Sequence, residues 1–306
     1  MRPRQLFILA SVMLIAHTST ASDSVIWRSP LLQDHLLVGK IYDYQAKTFI
    51  SEDQLLNKLF ASRLLLIGEQ HDNPDHHLIE QELLESLLSE PSSQVVFEMI
   101  KQDQQTAVDT LSKLDTLNSM KEKVDWDTKG WPWEYYGPLV YTTVQSGAKI
   151  TAGNLTTATI KTLYRQKNSD DIDADYPSVS RINEQQQDAI LNEIYESHCQ
   201  SMPKEQLKPM LNIQLARDAY MAKALVSGNF KQSILIVGSF HTQKHNAVPQ
   251  HLTYYTPIEP TVLLLRSVTS ELTAPEQYAS LNDADYIWFT PKPSDIDYCA
   301  QFKTRQ

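Results

Sequence analysis

Two short turns of the form Gly-x-x-His carry side chains that could do metal or acid–base chemistry. The first is Gly68-Glu69-Gln70-His71 and the second is Gly238-Ser239-Phe240-His241, and each directly follows a short apolar run. Glu98 ends a third apolar run, Val95 to Phe97. Two imidazoles and two carboxylates suit a first-row divalent metal such as Mn, Fe or Zn that keeps one position open for water or substrate. Without a metal, the same groups could supply a general base and an electrostatic clamp.

A histidine at the end of one strand more often caps a helix or satisfies a polar neighbour than it does chemistry. The functional interpretation therefore requires Glu69, His71, Glu98 and His241 to meet at one site. His76 and His77 follow closely but fall in the first turn of a helix, where adjacent side chains point about 100° apart. At most one of these two is expected to face the site.

The elements that must position these residues are short apolar runs that alternate with helical segments. Runs without polar alternation are typical of strands buried on both faces of a parallel sheet. They are Leu64 to Ile67, Val95 to Met99, Lys149 to Ala152, Ile234 to Val237, Val262 to Leu265 and Tyr286 to Phe289. Helices are predicted at Ser51 to Phe60, Pro74 to Glu90 and Thr156 to Gln166. This pattern predicts an α/β fold, with a mostly parallel sheet flanked by helices and right-handed crossovers.

In such a sheet the turns at the carboxyl ends of the strands face one crevice, where ligands bind. A glycine at the strand exit permits a positive φ or a close backbone approach. We therefore expect Glu69, His71, Glu98 and His241 to converge there, although they are far apart in the chain. Gly153-Asn154 ends a further strand at the same edge.

Two stretches break the alternation and predict helical insertions that form a smaller lid subdomain. They are residues 102–145 and about 181–228, the second reading as two helices separated near Pro203. The first contains the aromatic cluster Trp126, Trp131 and Trp133, which could wall a ligand slot but is better interpreted as packing a loop onto the domain. The Asp-rich connector 167–180 is predicted to be a solvated loop.

The first 21 residues resemble a cleavable export signal. Arg2 and Arg4 precede the apolar run Leu6 to Ala16, and a small-residue cleavage site ends near Ala21. No lipid-bearing Cys follows the run, so we expect one α/β domain at 22–306 that is periplasmic or secreted. The net charge of −10 opposes binding to phosphate backbones, which argues against nucleic acid as a partner.

The chain has only two cysteines, Cys199 and Cys299. An oxidising compartment would let them pair, but the sequence alone cannot bring them together, so both states stay open. Neither cysteine has a reactive-looking context, and no Gly-x-Ser-x-Gly nucleophile turn occurs. Nucleophilic hydrolysis is therefore not expected.

Several motifs in order resemble the ChaN family of haem-binding uptake proteins, which belongs to the same superfamily as the Tiki-type metalloproteases. They are GEQHDNPDHH (68–77), VFEM (96–99), GN (153–154), HCQSMP (198–203), ARDAYMA (216–222), and GSFH with VPQHL (238–252). The resemblance covers most of the chain after the signal, and its first motif is the most specific. The second turn departs from the family pattern at Phe240, where a small residue is usual, and in the positions that follow.

The resemblance implies a parallel-sheet core with a helical subdomain and a role in haem or iron acquisition or storage. It also implies haem at a pocket that two subunits can share in a homodimer, and an outer-membrane haem receptor as a further partner. Family members are often lipoproteins, but the missing Cys means that membrane attachment is not carried over.

Haem would require an iron ligand, an apolar slot and groups near its propionates. His198 ends an apolar stripe on a predicted helix and Tyr195 lies beside it, while Met202 and Tyr220 are further cofactor-binding candidates. Each has a structural alternative: His198 can cap its helix, and the other three can fill a core. Two functions follow, an exported haem-binding protein and, as the alternative, a metal-dependent hydrolase of the Tiki type that uses Glu69, His71, Glu98 and His241.

Overall fold

The computed structural model describes residues 26–88, 92–165, 172, 174–297 and 299–300. The expected signal peptide, Glu90, Gln166 and part of the Asp-rich connector (Asp170, Asp171 and Asp173) lie outside the described residues. Within them, one sheet contains the strands β1 (Ile41–Asp43), β2 (Thr48–Ile50), β3 (Leu64–Glu69), β4 (Ser93–Lys101), β5 (Lys149–Asn154), β6 (Gln232–Gly238), β7 (Thr261–Ser267) and β8 (Tyr286–Thr290).

The strand order in the sheet is β2-β1-β8-β7-β3-β6-β4-β5. From β8 to β5 all neighbours run parallel, whereas β1 pairs antiparallel with β2 and β8. Every apolar run predicted as a strand is part of this parallel portion, which confirms the α/β fold class. The sequence analysis missed β1 and β2, because three-residue strands contain no apolar run long enough to stand out.

Helices cover both faces of the sheet. The α-helices are α1 (Glu52–Phe60), α2 (Pro74–Leu87), α3 (Gln105–Val108), α4 (Leu117–Lys123), α5 (Trp133–Ser146), α6 (Thr157–Arg165), α7 (Glu184–Ser197), α8 (Lys204–Leu225) and α9 (Val248–Tyr255). Helices α1, α2 and α5 pack on one face, and α9 with the end of α8 packs on the other. The buried strands thus have apolar partners on both sides, as their uninterrupted apolar runs require.

Local signals fix where the key helices begin. Asn73 caps α2 by accepting a hydrogen bond from the backbone N–H of Asp75 at 2.9 Å, and Pro74 occupies the first turn. Asn183 and Gln186 form a capping box at the start of α7, and α8 begins directly after Pro203. The predicted break between two helices near Pro203 is confirmed.

Helices α6, α7 and the first half of α8 share a separate apolar core. It includes Leu163, Ile190, Leu207, Leu211 and Leu215, whereas the last residues of α8 pack against the sheet. Helix α8 therefore joins this helical subdomain to the sheet. One continuous helix thus contributes side chains to both cores.

Residues 102–145 contain α3, α4 and nearly all of α5. Helix α5 packs its buried residues Tyr136, Leu139 and Val140 into the sheet core. Trp126 is buried, and its indole N–H donates to the Trp131 carbonyl at 2.8 Å, which closes the preceding loop onto the domain.

Cys199 and Cys299 form a disulfide with their Cα atoms 5.3 Å apart, which settles the pairing that the sequence left open. The bond joins the segment after β8 to the end of α7. Within the described residues, no helix combines the length and the apolar character needed to cross a membrane.

Candidate functional site

The carboxyl ends of three adjacent strands, β3, β6 and β4, bring the two Gly-x-x-His turns together. Glu69 of β3 is in register with Gly238 of β6, and Phe97 of β4 is in register with Ile236. Because Glu98 follows Phe97, its carboxylate reaches the same edge. The structure thus places Glu69, His71, Glu98 and His241 side by side.

His71 is held from one side by Glu69 and Tyr136. Its Nδ1 contacts Glu69 Oε1, and the Tyr136 hydroxyl donates to the same carboxylate oxygen at 3.0 Å. The Trp131 ring packs edge to face against the imidazole, with the ring centroids 4.8 Å apart. Burial alone would lower the pKa of His71, but the hydrogen bond to Glu69 and the charges of Glu69 and Glu98 raise it to about 9. The shift favours the protonated imidazole, and solvent screens part of these charges because 45% of the His71 side chain is exposed.

Two glycines are needed here for close packing, and neither has a positive φ. A Cβ on Gly238 would lie 2.8 Å from the ring of His71, and a Cβ on Gly68 would lie 2.8 Å from the Thr242 hydroxyl. Of the two roles that the sequence allowed these glycines, the structure shows the close approach.

His241 lies between two buried carboxylates. Its Nδ1 contacts Asp218 Oδ1, and its Nε2 lies 3.5 Å from Glu98 Oε1. Glu98 Oε2 accepts a hydrogen bond from the Gly238 N–H at 2.9 Å. Although burial opposes ionisation, the charges of Asp218 and Glu98 raise the pKa of His241 to about 10. Burial also disfavours the ionised form of Glu98, but His241 and His71 hold the pKa of that carboxyl well below its usual range.

His76 and His77 support the first turn from beneath and do not line the cavity described below. His76 Nδ1 accepts from the Gln70 N–H at 2.9 Å, and burial lowers its pKa. His77 Nε2 donates to the His71 carbonyl at 3.2 Å, and its Nδ1 contacts Glu80 at 3.1 Å. Burial would lower the pKa of His77, but Glu80 raises it. The histidine-rich motif thus builds a scaffold for His71.

The predicted metal ligands pair with one another. His71 contacts Glu69, and His241 contacts Asp218 and lies near Glu98. In the part of the chain that the structure describes, no group of three or more His, Cys, Asp or Glu side chains is arranged to hold a metal ion. The geometry gives no support to the expected divalent metal, or to the hydrolase that would depend on it.

A cavity of about 350 Å³ opens beside these turns, between the sheet edge and the helical subdomain. Such a volume is at the lower end of the range for small-molecule sites. Helices α7 and α8 form most of its walls. The lining residues are His71, Ile160, Ile190, Glu193, Ile194, Ser197, His198, Met210, Ile213, Gln214, Arg217, Gly238, Phe240 and His241.

The candidate cofactor-binding residues separate into two groups. His198 lines the cavity together with Ile190 and Ile194, the row that repeats every four residues along α7. Tyr195, Met202 and Tyr220 instead pack against the core of the helical subdomain. Among the four candidates, only His198 is thus placed at the cavity.

Three residues of the site escaped the functional interpretation of the sequence. Asp218 lies inside the ARDAYMA motif and is buried against His241, and Tyr136 reaches Glu69 from α5. Arg217 lines the cavity, and its buried Nε has no hydrogen-bond partner in the described residues. The motif was a signal for Asp218 and Arg217, whereas no spacing rule pointed to Tyr136.

Comparisons with known proteins found one matching family model and similar solved structures. The model of the family described as "Haem-binding uptake, Tiki superfamily, ChaN" matches residues 55–252. A solved structure that describes cofacial haem binding to ChaN of Campylobacter jejuni is 24% identical, with a TM-score of 0.68 over 81% of this chain and 95% of that chain. A mutant erythromycin esterase in its open conformation is 12% identical, with a TM-score of 0.47 over 85% of this chain and 99% of that chain. No curated protein matches the chain.

The family match spans more than half of the chain and includes both Gly-x-x-His turns, α7 and α8. The likeness to the Campylobacter structure shows a common fold. These findings confirm the resemblance drawn from the motifs. The chain belongs to the haem-binding uptake family of the Tiki superfamily, the ChaN family.

Proposed function

We propose that this chain binds haem in the cavity between α7, α8 and the sheet edge, and that it acts in haem or iron acquisition or storage outside the cytoplasm. Membership of a haem-binding uptake family supports the ligand. The observation that carries the proposal is the position of His198, an imidazole in the cavity wall whose orientation is fixed by the backbone.

His198 caps the end of α7, and we propose that the same contact also orients its ring toward iron. Its Nδ1–H donates to the Ile194 carbonyl at 2.7 Å, which fixes the orientation of the ring. Ligating histidines commonly donate their other ring N–H to a carbonyl or carboxylate, which fixes the tautomer and the ring orientation. Tyr195, the other ligand candidate, packs in the helical core with the Lys204 ammonium over its ring. His198 is therefore the proposed iron ligand.

The remaining walls suit a macrocycle with acidic edges. Ile190, Ile194, Met210 and Ile213 supply apolar surface from two helices. Arg217 supplies a guanidinium, which pairs well with carboxylates because it presents parallel N–H donors. We assign Arg217 to a haem propionate, which would satisfy its buried Nε.

We further propose a homodimer that shares haem between its subunits. Phe240 lines the cavity while 56% of its surface is exposed, so an apolar ring stands at the cavity mouth. In the Campylobacter ChaN structure haem binds cofacially, an arrangement that a pair of facing cavities could provide. An outer-membrane haem receptor as donor or acceptor, and a periplasmic or secreted location, complete the proposed role.

Haem titration of the purified protein tests the proposal. We expect a shifted Soret band with a defined stoichiometry. We also expect the oligomer mass measured by light scattering to double when haem is added. The variant His198→Ala should change the band position and weaken binding at least tenfold, whereas Arg217→Gln should weaken binding and leave the band position unchanged.

His245→Ala is the matched control, because that histidine is half exposed and does not line the cavity. It should titrate like the unmodified protein. The assignment of His198 fails if His198→Ala keeps both the band position and the affinity, and haem binding itself fails if no saturable spectral change occurs.

A further inference from the structure

A second cavity of about 390 Å³ lies at the same edge of the sheet, beside the ends of β3, β7 and β8. Gln70 and Asp72 line it, whereas His71 between them lines the first cavity. The function proposed above does not use this second cavity. Its other lining residues are Arg266, Ser267, Val268, Thr269, Leu272, Gln277, Tyr278, Lys292, Pro293, Ser294 and Ile296.

Arg266 of β7 is the unusual feature of this cavity. The side chain is partly buried, and this burial lowers its pKa. Among the described residues, no carboxylate contributes to the pKa of the guanidinium. A partly buried guanidinium is stabilised by an anionic partner, and its parallel N–H donors match a carboxylate. Here an anion in the cavity would provide that partner.

Gln70 adds neutral donors at the same place. Its side-chain oxygen accepts from the Ser267 N–H at 2.9 Å, and this bond fixes the orientation of the amide. The amide NH₂ group has no acceptor in the part of the chain that the structure covers. A ligand that accepts hydrogen bonds would thus contact the N–H donors of the Arg266 guanidinium and the oriented amide of Gln70.

The charges along the wall favour a singly charged anion. Arg266 and Lys292 are positive, but Lys292 is paired with Asp295 at 2.6 Å. Val268, Leu272 and Ile296 line the rest of the cavity with apolar surface. A carboxylate with a small apolar body fits these walls better than inorganic phosphate does.

We propose that this second cavity binds a small monocarboxylate, with the Arg266 guanidinium paired to the carboxylate and the Gln70 amide as a further donor. The site is separate from the proposed haem cavity and does not depend on it. Among the described residues the two cavities share no lining residue, and the turn Gln70 to Asp72 lies between them.

Calorimetric titration at constant ionic strength tests the proposal, with benzoate as probe, benzamide as its uncharged analogue and inorganic phosphate as the competing anion. We expect saturable binding of benzoate, no binding of benzamide and weaker binding of phosphate. The variant Arg266→Gln should weaken benzoate binding by roughly 10- to 100-fold, because a charge-assisted hydrogen-bonded pair is lost. Arg266→Lys keeps the positive charge but loses the paired N–H donors of the guanidinium, so it should give an intermediate affinity.

Arg63→Gln is the matched control, since Arg63 is exposed and remote from the cavity wall. A second readout separates ligand binding from a structural role: in ligand-free buffer Arg266→Met should melt no lower than the unmodified protein, because no carboxylate of the described residues contributes to the pKa of the guanidinium it removes. Haem titrations of Arg266→Met should be unchanged.

The proposal is overturned if benzoate shows no saturable binding, or if Arg266→Gln binds it as tightly as Arg63→Gln does. A stronger response to phosphate than to benzoate would overturn the carboxylate class. Loss of haem binding in a folded Arg266→Met would contradict the separation of the two cavities.

Discussion

At the scale of single residues, the site is a set of buried charges that neutralise one another. His241 contacts Asp218 and lies near Glu98, and all three are nearly inaccessible to solvent. Protonation of the imidazole stabilises this arrangement, because it supplies the counter-charge to two buried carboxyl groups, of which burial raises the pKa of Asp218. His71 and Glu69 form a second pair, in which the carboxylate is buried but the imidazole is partly exposed to solvent.

We predict that the free energy of unfolding falls as the pH rises from about 6.5 to about 10. The pKa of His241 is raised from 6.5 to about 10 in the folded state, so its contribution is complete below 6.5 and is lost as the pH approaches 10. His71, with a pKa of about 9, acts in the same direction. Urea unfolding at pH 6, 8 and 10 measures the slope.

The variant Asp218→Asn should flatten this slope and destabilise the protein by about 3–5 kcal/mol at pH 7, the usual effect of breaking a buried ion pair. Asp188→Asn, at an exposed position on α7, is the control and should leave both quantities unchanged. Equal pH profiles for the two variants would contradict the role of Asp218.

At the scale of elements, the contact between β4 and β5 shapes the strand that carries Glu98. The register of this pair shifts between Phe97 and Lys101, where Glu98 leaves the regular ladder. Gly153 permits this, since a Cβ there would lie 2.7 Å from the Phe97 carbonyl oxygen. Backbone atoms cannot move aside as a flexible side chain can.

We predict that Gly153→Ala destabilises the protein by about 1–3 kcal/mol, the typical cost of an overpacked core position. Gly130→Ala is the control, because the nearest atom to its added Cβ lies at 3.5 Å, an ordinary contact distance. Chemical denaturation of both variants measures the difference. Unfolding midpoints within error of each other would show that β4 adjusts without cost.

The parallel strands could be predicted from sequence because each is an apolar run bounded by turns, and their common edge follows from parallel pairing. The meeting of His71 with His241 follows from that edge. The neighbours of these residues could not be predicted in the same way. Asp218 reaches His241 from the middle of α8, and Tyr136 reaches Glu69 from α5, so both contacts depend on how helices pack on the sheet.

At the scale of the whole molecule, the disulfide ties the helical subdomain to the segment that follows β8. It closes a loop over a sequence separation of 100 residues, and Cys199 directly follows His198. In the chain-entropy model a loop of this length contributes about 4.7 kcal/mol. The bond thus restrains the part of the chain that carries the proposed iron ligand.

We predict that reductant lowers the melting temperature of the protein, equivalent to a loss of about 2–5 kcal/mol. The double variant Cys199→Ser with Cys299→Ser should melt at the lower temperature with or without reductant, as measured by circular dichroism. An unchanged melting temperature after complete reduction, verified by thiol titration, would argue against a stabilising role for the bond.

The turn from Gln70 to Asp72 has a consequence for how the family can vary. Surface turns ordinarily tolerate the gain or loss of a residue. In this turn, however, successive side chains line different cavities on opposite sides of the backbone. Deleting one residue of this turn would reverse the directions of the side chains that follow it. Each cavity would then be lined by the wrong side chains. The length of this turn should therefore be fixed more strictly than the identity of any residue in it.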